Sequence, residues 1–375
     1  MSDSVVVRQR QDLAATAQWL ATLSGQADEH AAHSLAPRTR EAYDSDWRQW
    51  ETWCERFGLA PHPVEPGAVR LYLADMAGRT RTDGTPWFKS SSIERHLAAL
   101  SYRNYELGGT PGLARHPHVA AVMDGIRNTR KEAPLRRRPL LRDDVARLVE
   151  AMDHDRWPAG VAAARDTFAL LLGFATAMRR SEVAALRVGD VSRDDVDGLH
   201  VRVRSSKTDQ AGRGHVLAVP YGAHPVTCVP CARTRWLSLV AAAQVGRSTT
   251  MRQVLTTGHP VDWVHVCRGA DPAAGLGASE PLLRPVTKGG VVTDRPLSST
   301  SLNQAVKRRA GDAGYDPTHL GFHSLRAGMV TQARRNGADA RSVRRQTRHS
   351  SDAMVDVYDR EHNPLAGNAV VVLGL

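Results

Sequence analysis

The run APLRRRPLL, residues 133–141, divides this chain into two parts with different apolar patterning. Its two prolines limit helix propagation, and its three consecutive arginines favour phosphate over a protein interior. The segment reads as a basic inter-domain linker; a surface loop inside one domain is the competing reading. With 375 residues the chain can support two ordinary cores, because single cores rarely grow past about 250–300 residues.

Residues 1–33 form an N-terminal extension, helical at first and then polar in SGQADEHAAH. From 34 to 132 the pattern is helical. Tyr43, Trp47, Trp50, Cys54 and Phe57 recur at steps of three and four, which lays one apolar stripe along a helix. At that spacing Trp47, Trp50 and Trp53 are expected to pack in a core rather than to form a base-stacking platform. Three further helical runs follow: GAVRLYLADMAG, opened by Pro66-Gly67; IERHLAALSYRNYELGG, preceded by Ser90–Ser92 and closed on Gly108-Gly109; and HVAAVMDGIRNTRKE. Four helices with short joints predict a compact all-helical domain.

Residues 142–375 read as a second, mixed α+β domain. The helix DDVARLVEAM leads into DTFALLLGFATAMRRSEVAALRVGDV, a buried helix and then another. HVRVRSS and GHVLAVP flank a turn rich in Asp, Gly and Lys and predict an antiparallel β-hairpin. WLSLVAAAQ is helical, whereas residues 246–297 are rich in Gly, Pro and Thr and predict loops with short strands. Helices resume at SLNQAVKRRAGDAG, SLRAGMVTQARRNG, ARSVRRQ and SDAMVDVYDR. The fold class is therefore mainly α, in two domains, with a small antiparallel sheet in the second.

Lys and Arg number 50 against 39 Asp and Glu, a net charge of +11. The cations cluster in Arg127–Arg142 and Arg334–Arg348. Such patches attract a polyanion and release its counterions, so salt-dependent binding of double-stranded DNA is expected. No apolar run approaches the ~18 residues of a membrane span, so no membrane partner is expected. The N-terminus lacks the pattern of a secretory signal. Four cysteines are too sparse for a disulfide framework and fit a reducing cytosol. The expected location is the cytoplasm, on the nucleoid when bound to DNA. Cys228 and Cys231 form CVPC, with His224 before them and His265 and Cys267 after, a possible zinc pattern. Because the pair opens an apparent helix, where cysteine is readily a small buried apolar residue, the expectation is no metal and no cofactor; any zinc would be structural.

The residues that carry chemistry are Arg179 in MRRSE, Lys207 in RSSKTD, His323 and Arg326 in HSLR, and His349 and Tyr358 in RHSSDAMVDVYDR. A phosphodiester resists attack because its oxygens are negative and its leaving alkoxide is poor. Two arginines can fork onto the non-bridging oxygens while a Lys or His protonates the leaving 5′ oxygen. A tyrosine phenol, pKa about 10, can attack from a cationic pocket. The ester it forms keeps the energy of the broken bond for resealing. No GxxxxGK[ST] nucleotide loop is present. His323 and Arg326, at i and i+3, share a helix face and can grip one phosphate. Glu182, three residues after Arg179, can orient a cation or histidine of the site.

In this order the set resembles the tyrosine recombinase (phage integrase) family, whose pattern is Arg, Lys, His-x-x-Arg, His or Trp, Tyr. TAMRRSEVAALRVGDV resembles its first box, which matches Arg179 rather than Arg180 to the first arginine. Lys207 matches the hairpin lysine, HSLR the second box, and His349 with Tyr358 the last pair. The amino half resembles the helical core-binding domain, in a Cre-like order. The chain departs from the pattern at Arg348, where the family often has Gly, and in the long 246–297 stretch. The resemblance implies a C-shaped clamp on duplex DNA and a homotetramer on two recombination sites. Strands would exchange through a 3′-phosphotyrosine and a Holliday junction. Arg136, Arg137 and Arg138 are expected to touch phosphates. The rival readings are a type IB topoisomerase-like relaxase and a non-catalytic architectural DNA-binding protein. The apolar end AVVVL is expected to dock on a neighbouring protomer, with folding back on its own domain as the competing reading; docking in trans argues against the monomeric relaxase.

Overall fold

The computed structural model describes residues 16, 18–27, 29, 35–132, 137–204, 214–246, 248–257, 264–348, 351 and 373. The chain falls into two compact units, Met1–Pro134 and Leu135–Leu375.

The first unit is built on helices α1 (Pro37–Arg56), α2 (Pro66–Gly78), α3 (Ser90–Glu106) and α4 (Pro117–Arg130). Three of the four begin on proline, whose fixed φ suits the first helical turn and whose missing N–H would have no partner there anyway. Trp47, Trp50 and Trp53 are buried, as the spacing requires. The Trp50 and Trp53 rings stack with centroids 5.4 Å apart. Each indole finds an acceptor, Trp50 on Pro61 O at 3.0 Å and Trp53 on Asp75 Oδ2 at 3.0 Å, as a buried ring N–H requires.

The second unit opens with α5 (Arg142–Glu150), α6 (Ala159–Thr176) and the short α7 (Arg180–Ala184). Strands β1 (Val191–Asp194), β2 (Gly198–Val203) and β3 (His215–Val219) follow in a three-stranded sheet of order β1-β2-β3, antiparallel throughout. Val201 sits opposite Val191 on one side and Leu217 on the other. Leu199, Val201 and Val203 turn inward while Arg202 points out, the period-two alternation of a half-buried strand. The expected hairpin is thus β2–β3, and β1 is an additional strand.

Helices α8 (Val229–Gln244), α9 (Ser248–Thr257), α10 (Ser299–Asp312), α11 (Phe322–Arg335) and α12 (Ala340–Thr347) complete the described unit. The expectation of loops and short strands across 246–297 needs correcting, because α9 is a ten-residue helix there. Met251 and Leu255, one turn apart, bury its inner face despite four threonines and a serine, which favour helices weakly. The other described residues of that stretch form a 3-10 turn, Pro272–Gly275, and loop with isolated bridges such as Val286 to Val292.

Helix α6 forms the middle of the core. Its 18 residues have the length and composition of a membrane span, which the apolar pattern alone did not suggest, yet 78% of that window is buried inside the protein. Buried Arg165 and Asp166 on α6 explain why it is a core helix: Asp166 is bonded by Arg165 at 2.6 Å and by Arg309 of α10 at 2.9 Å. Two glycines set the seat of α11. A Cβ on Gly173 would lie 2.6 Å from Phe322 Cζ, and one on Gly328 would run into the Leu140 carbonyl. Helix α11 therefore packs directly on α6 and under residues 137–140.

Candidate active site

Helix α6 ends at Ala177, which adopts a left-handed conformation with φ +48°. For a residue with a Cβ this costs of order ~1–3 kcal/mol and persists only when the surroundings over-determine it. Arg326 supplies that constraint. It reaches from α11, 2% exposed, to donate from Nη1 to Ala177 O at 2.5 Å. Two residues on, Arg179 caps α7, and Glu182 folds back onto it. The carboxylate accepts the Arg179 backbone N–H at 2.9 Å and its guanidinium at 3.0 Å.

Glu182 has a third partner, Arg348, whose Nη2 lies 2.6 Å from Oε2. Arg348 ends α12 with φ +57°. This is a conformation glycine adopts without cost and a residue with a Cβ does not. Helix α12 is held in place by Gln346, which donates to Ala175 O of α6 at 2.9 Å and to Ala218 O of β3 at 3.4 Å. In the sequence Arg348 stands out only as a departure from the family pattern; its left-handed backbone and its bond to Glu182 are not legible from the residue order. Burial opposes ionisation of Glu182, but the Arg348 charge and hydrogen bond, the Arg179 N–H and the Arg179 guanidinium outweigh it. They hold the carboxyl below its usual range.

His323 stands in the first turn of α11, exposed to solvent on one side. Desolvation by the protein around it, then the charges of Arg326, Arg179 and Arg137, push its pKa below the ordinary imidazole value. Desolvation and the neighbouring cations thus both favour the neutral ring, in which one nitrogen can accept a proton and the other donate.

Arg137 and Arg138 lie along the second unit. Arg137 is half-buried and donates to Thr318 O at 2.9 Å, and the Arg138 N–H donates to His319 O at 3.1 Å. The Arg138 guanidinium is exposed and lies 5.5 Å from the Tyr315 ring centroid. Leu140 N donates to Ser324 O at 3.0 Å and ties this stretch to the start of α11.

Among the sequence-predicted residues, Arg179, Glu182, His323 and Arg326 are therefore gathered on the turn 177–182 and the facing end of α11. Lys207, His349, Tyr358 and Arg136 lie outside the described residues, as do the helix SDAMVDVYDR apart from Ser351 and the AVVVL segment apart from Leu373. A second constellation, to which the sequence assigns no metal, comes together elsewhere in the unit. The ligand atoms of Cys228, Cys231, His265 and Cys267 all lie within 4.8 Å of one another.

Residues 248–363 match the Phage integrase family. An integrase/recombinase XerD homologue from Selenomonas ruminantium is 28% identical over 350 residues, covering 93% of this chain and 89% of the relative. The Cre recombinase of Escherichia phage P1 is 26% identical over 202 residues, covering 52% of this chain and 53% of Cre. Among solved structures, the Tn1549 transposon integrase in complex with transposon right end DNA aligns over 88% of this chain and 92% of that one. Its TM-score is 0.51 at 12% identity, a likeness of fold.

Proposed function

The chain belongs to the phage integrase family of tyrosine recombinases, and on that premise we propose that it cuts and rejoins duplex DNA at specific sites through a 3′-phosphotyrosine. The observation that carries the reading for this chain's own residues is the pairing of Arg326 with the Ala177 carbonyl, two residues from Arg179. It brings two guanidiniums from distant parts of the sequence to one turn.

The chemistry follows from those groups. Arg179 and Arg326 donate to the non-bridging oxygens of the scissile phosphate and stabilise the charge that grows as phosphorus becomes five-coordinate. Glu182 fixes the Arg179 fork by binding its backbone and its side chain together. Neutral His323 is suited to take the phenolic proton as the Tyr358 oxygen attacks phosphorus. The P–O5′ bond breaks, and Lys207 or His349 gives the leaving oxygen its proton. Resealing is the reverse, with a 5′-hydroxyl of the partner strand as nucleophile. The energy of the original ester is retained in the phosphotyrosine, so no nucleotide hydrolysis is needed.

Double-stranded DNA is the substrate that the family and the basic character of the chain point to. We extend this to four protomers on two sites, exchanging strands in pairs through a Holliday junction, and to a cytoplasmic location on the nucleoid. The decisive experiment uses a nicked suicide duplex, which traps a covalent adduct because the cut fragment diffuses away. Wild-type protein should form the adduct. A Tyr358→Phe variant that binds DNA and still forms it would refute the nucleophile. Light scattering of the protein with paired sites should give four chains per complex; a monomer on each site would refute the tetramer.

A further inference from the structure

The convergence of three sulfurs and an imidazole lies outside the arginine site and has a geometry that ordinary core cysteines do not need. Cys228 caps the start of α8 and Cys231 stands in its first turn. His265 and Cys267 come from the loop after α9. We propose that Cys228, Cys231, His265 and Cys267 bind one zinc ion, in a closed structural site that clasps the 264–269 loop to the start of α8.

The distances fit one tetrahedral ion. With Zn–S of about 2.3 Å and Zn–N of about 2.0–2.1 Å, the edges of the tetrahedron are about 3.8 Å between two sulfurs and about 3.5 Å between sulfur and nitrogen. Here Cys228 Sγ is 3.9 Å from Cys267 Sγ, and His265 Nδ1 is 3.4 Å from Cys231 Sγ and 4.0 Å from Cys267 Sγ. All three cysteines are free thiols, and a disulfide would need its sulfurs at about 2.05 Å.

The surroundings orient the ligands for a metal. His265 Nε2 faces Ala223 O at 3.4 Å, which favours the proton on Nε2 and leaves the Nδ1 lone pair directed at the sulfurs. The Val266 N–H points at Cys231 Sγ, 3.4 Å away, as a donor to a ligating thiolate does. The loop carrying His265 and Cys267 is gripped by cations. Arg193 donates to Cys267 O at 3.1 Å and to Gly269 O at 2.6 Å, Arg235 donates to Val264 O at 2.8 Å, and Arg268 lies 4.0 Å over the Tyr221 ring. The cysteines are 0%, 0% and 2% exposed, while His265 stands at the solvent rim and offers the route by which an ion enters. Four protein ligands leave no open position for water or substrate, which makes the ion a staple rather than a reagent.

The test is metal content and coordination of the full-length chain purified without chelators. The expected result is one zinc per chain by elemental analysis. Exchange for cobalt(II) should give the intense visible bands of a tetrahedral ion with thiolate-to-metal charge transfer. Cys231→Ser should lose the ion. If that variant does not fold, His265→Ala keeps three thiolates and should still shift the cobalt bands as a water replaces the imidazole. A wild-type chain with no zinc and no cobalt spectrum overturns the proposal, whether its thiols are reactive or joined as Cys228–Cys267. So does zinc retained with an unchanged cobalt spectrum in His265→Ala.

Discussion

Arg348 and Glu182 lie 2.6 Å apart with side chains only 9% and 5% exposed, so the last described helix is latched to the turn that carries Arg179. The latch uses one nitrogen of Arg348. Its Nε and Nη1 are buried and have no hydrogen-bond partner among the described residues.

Breaking this latch has a direction that can be worked out. Removing one partner of a buried pair costs about 3–5 kcal/mol, mostly because the other charge is left uncompensated. Glu182→Gln should therefore lower stability at neutral pH and slow cleavage as Arg179 loses its orientation. The folded pKa of Glu182 is depressed, so its contribution is fully present above the ordinary carboxyl value of about 4.3 and is lost as pH falls through the lower folded value. Urea unfolding of wild type and Glu182→Gln should differ at pH 7 and converge in acid. Curves that differ equally at every pH would contradict the assignment.

His323 offers a second titration. Desolvation and then Arg326, Arg179 and Arg137 hold its pKa below the ordinary imidazole value of about 6.5. The neutral ring should persist below that pH in the folded protein, so stability should begin to fall as pH drops below about 6.5, where the unfolded chain takes up the proton, and level off only below the depressed folded value. Arg179→Ala removes one of the opposing charges, and the His323 C2–H resonance in NMR should then titrate at higher pH. No movement would mean the two side chains do not sense one another.

The closeness of Arg179, His323 and Arg326 was foreshadowed by their residue types and order, and helical spacing puts the last two within one turn of α11. Helices with strong apolar periodicity, such as the one carrying Trp47, Trp50 and Trp53, were equally plain. Three features were not. Strand β1 is four residues long and mostly polar, and it is defined by its pairing with β2 rather than by its own pattern. Helix α9 is made of residues with weak helix preference and exists because Met251 and Leu255 find a core. The CVPC pair and the later His265 and Cys267 were all visible, but they stand more than thirty positions apart across α8 and α9, and residue order does not say that they meet. Only the tertiary fold brings them within 4.8 Å.

The two site arginines should be individually indispensable. Loss of one preorganised donor to a developing oxyanion slows reaction by about 10²–10³-fold, so Arg179→Ala and Arg326→Ala should each cut single-turnover cleavage at least about 10²-fold on that scale. Arg326→Ala also frees the Ala177 carbonyl and should lower the thermal midpoint, whereas Arg179, part-exposed, should affect stability less. Rates within a few-fold of wild type would take both arginines out of the reaction.

The arginines at 136–138 should act on phosphates. Arg137 already gives one donor to Thr318 O, while Arg138 presents an exposed guanidinium beside Tyr315. Replacing all three with Ala should weaken specific and random duplexes alike. It should flatten the slope of log affinity against log salt by roughly 0.9 for each phosphate no longer neutralised. Altered site preference with the slope intact would point to base reading instead.

Gly328 gives the sharpest structural test, because two effects oppose each other there. It sits inside α11, where replacing Gly by Ala normally gains about 0.8–1.0 kcal/mol of helix propensity. A Cβ at this position, however, would enter the space of the Leu140 carbonyl, a backbone group that cannot rotate aside. Leu140 is itself buried, and its N–H is bonded to Ser324 O at 3.0 Å, so the 137–140 segment can yield only by giving up that burial and that bond. Overpacking of this kind costs about 1–3 kcal/mol and sometimes more, which exceeds the propensity gain. Gly328→Ala should therefore lower the urea midpoint and, by displacing Arg137 and Arg138 from their places beside Thr318 and Tyr315, weaken DNA binding without substituting a predicted catalytic residue. A midpoint equal to or above wild type would mean that 137–140 is not seated on α11.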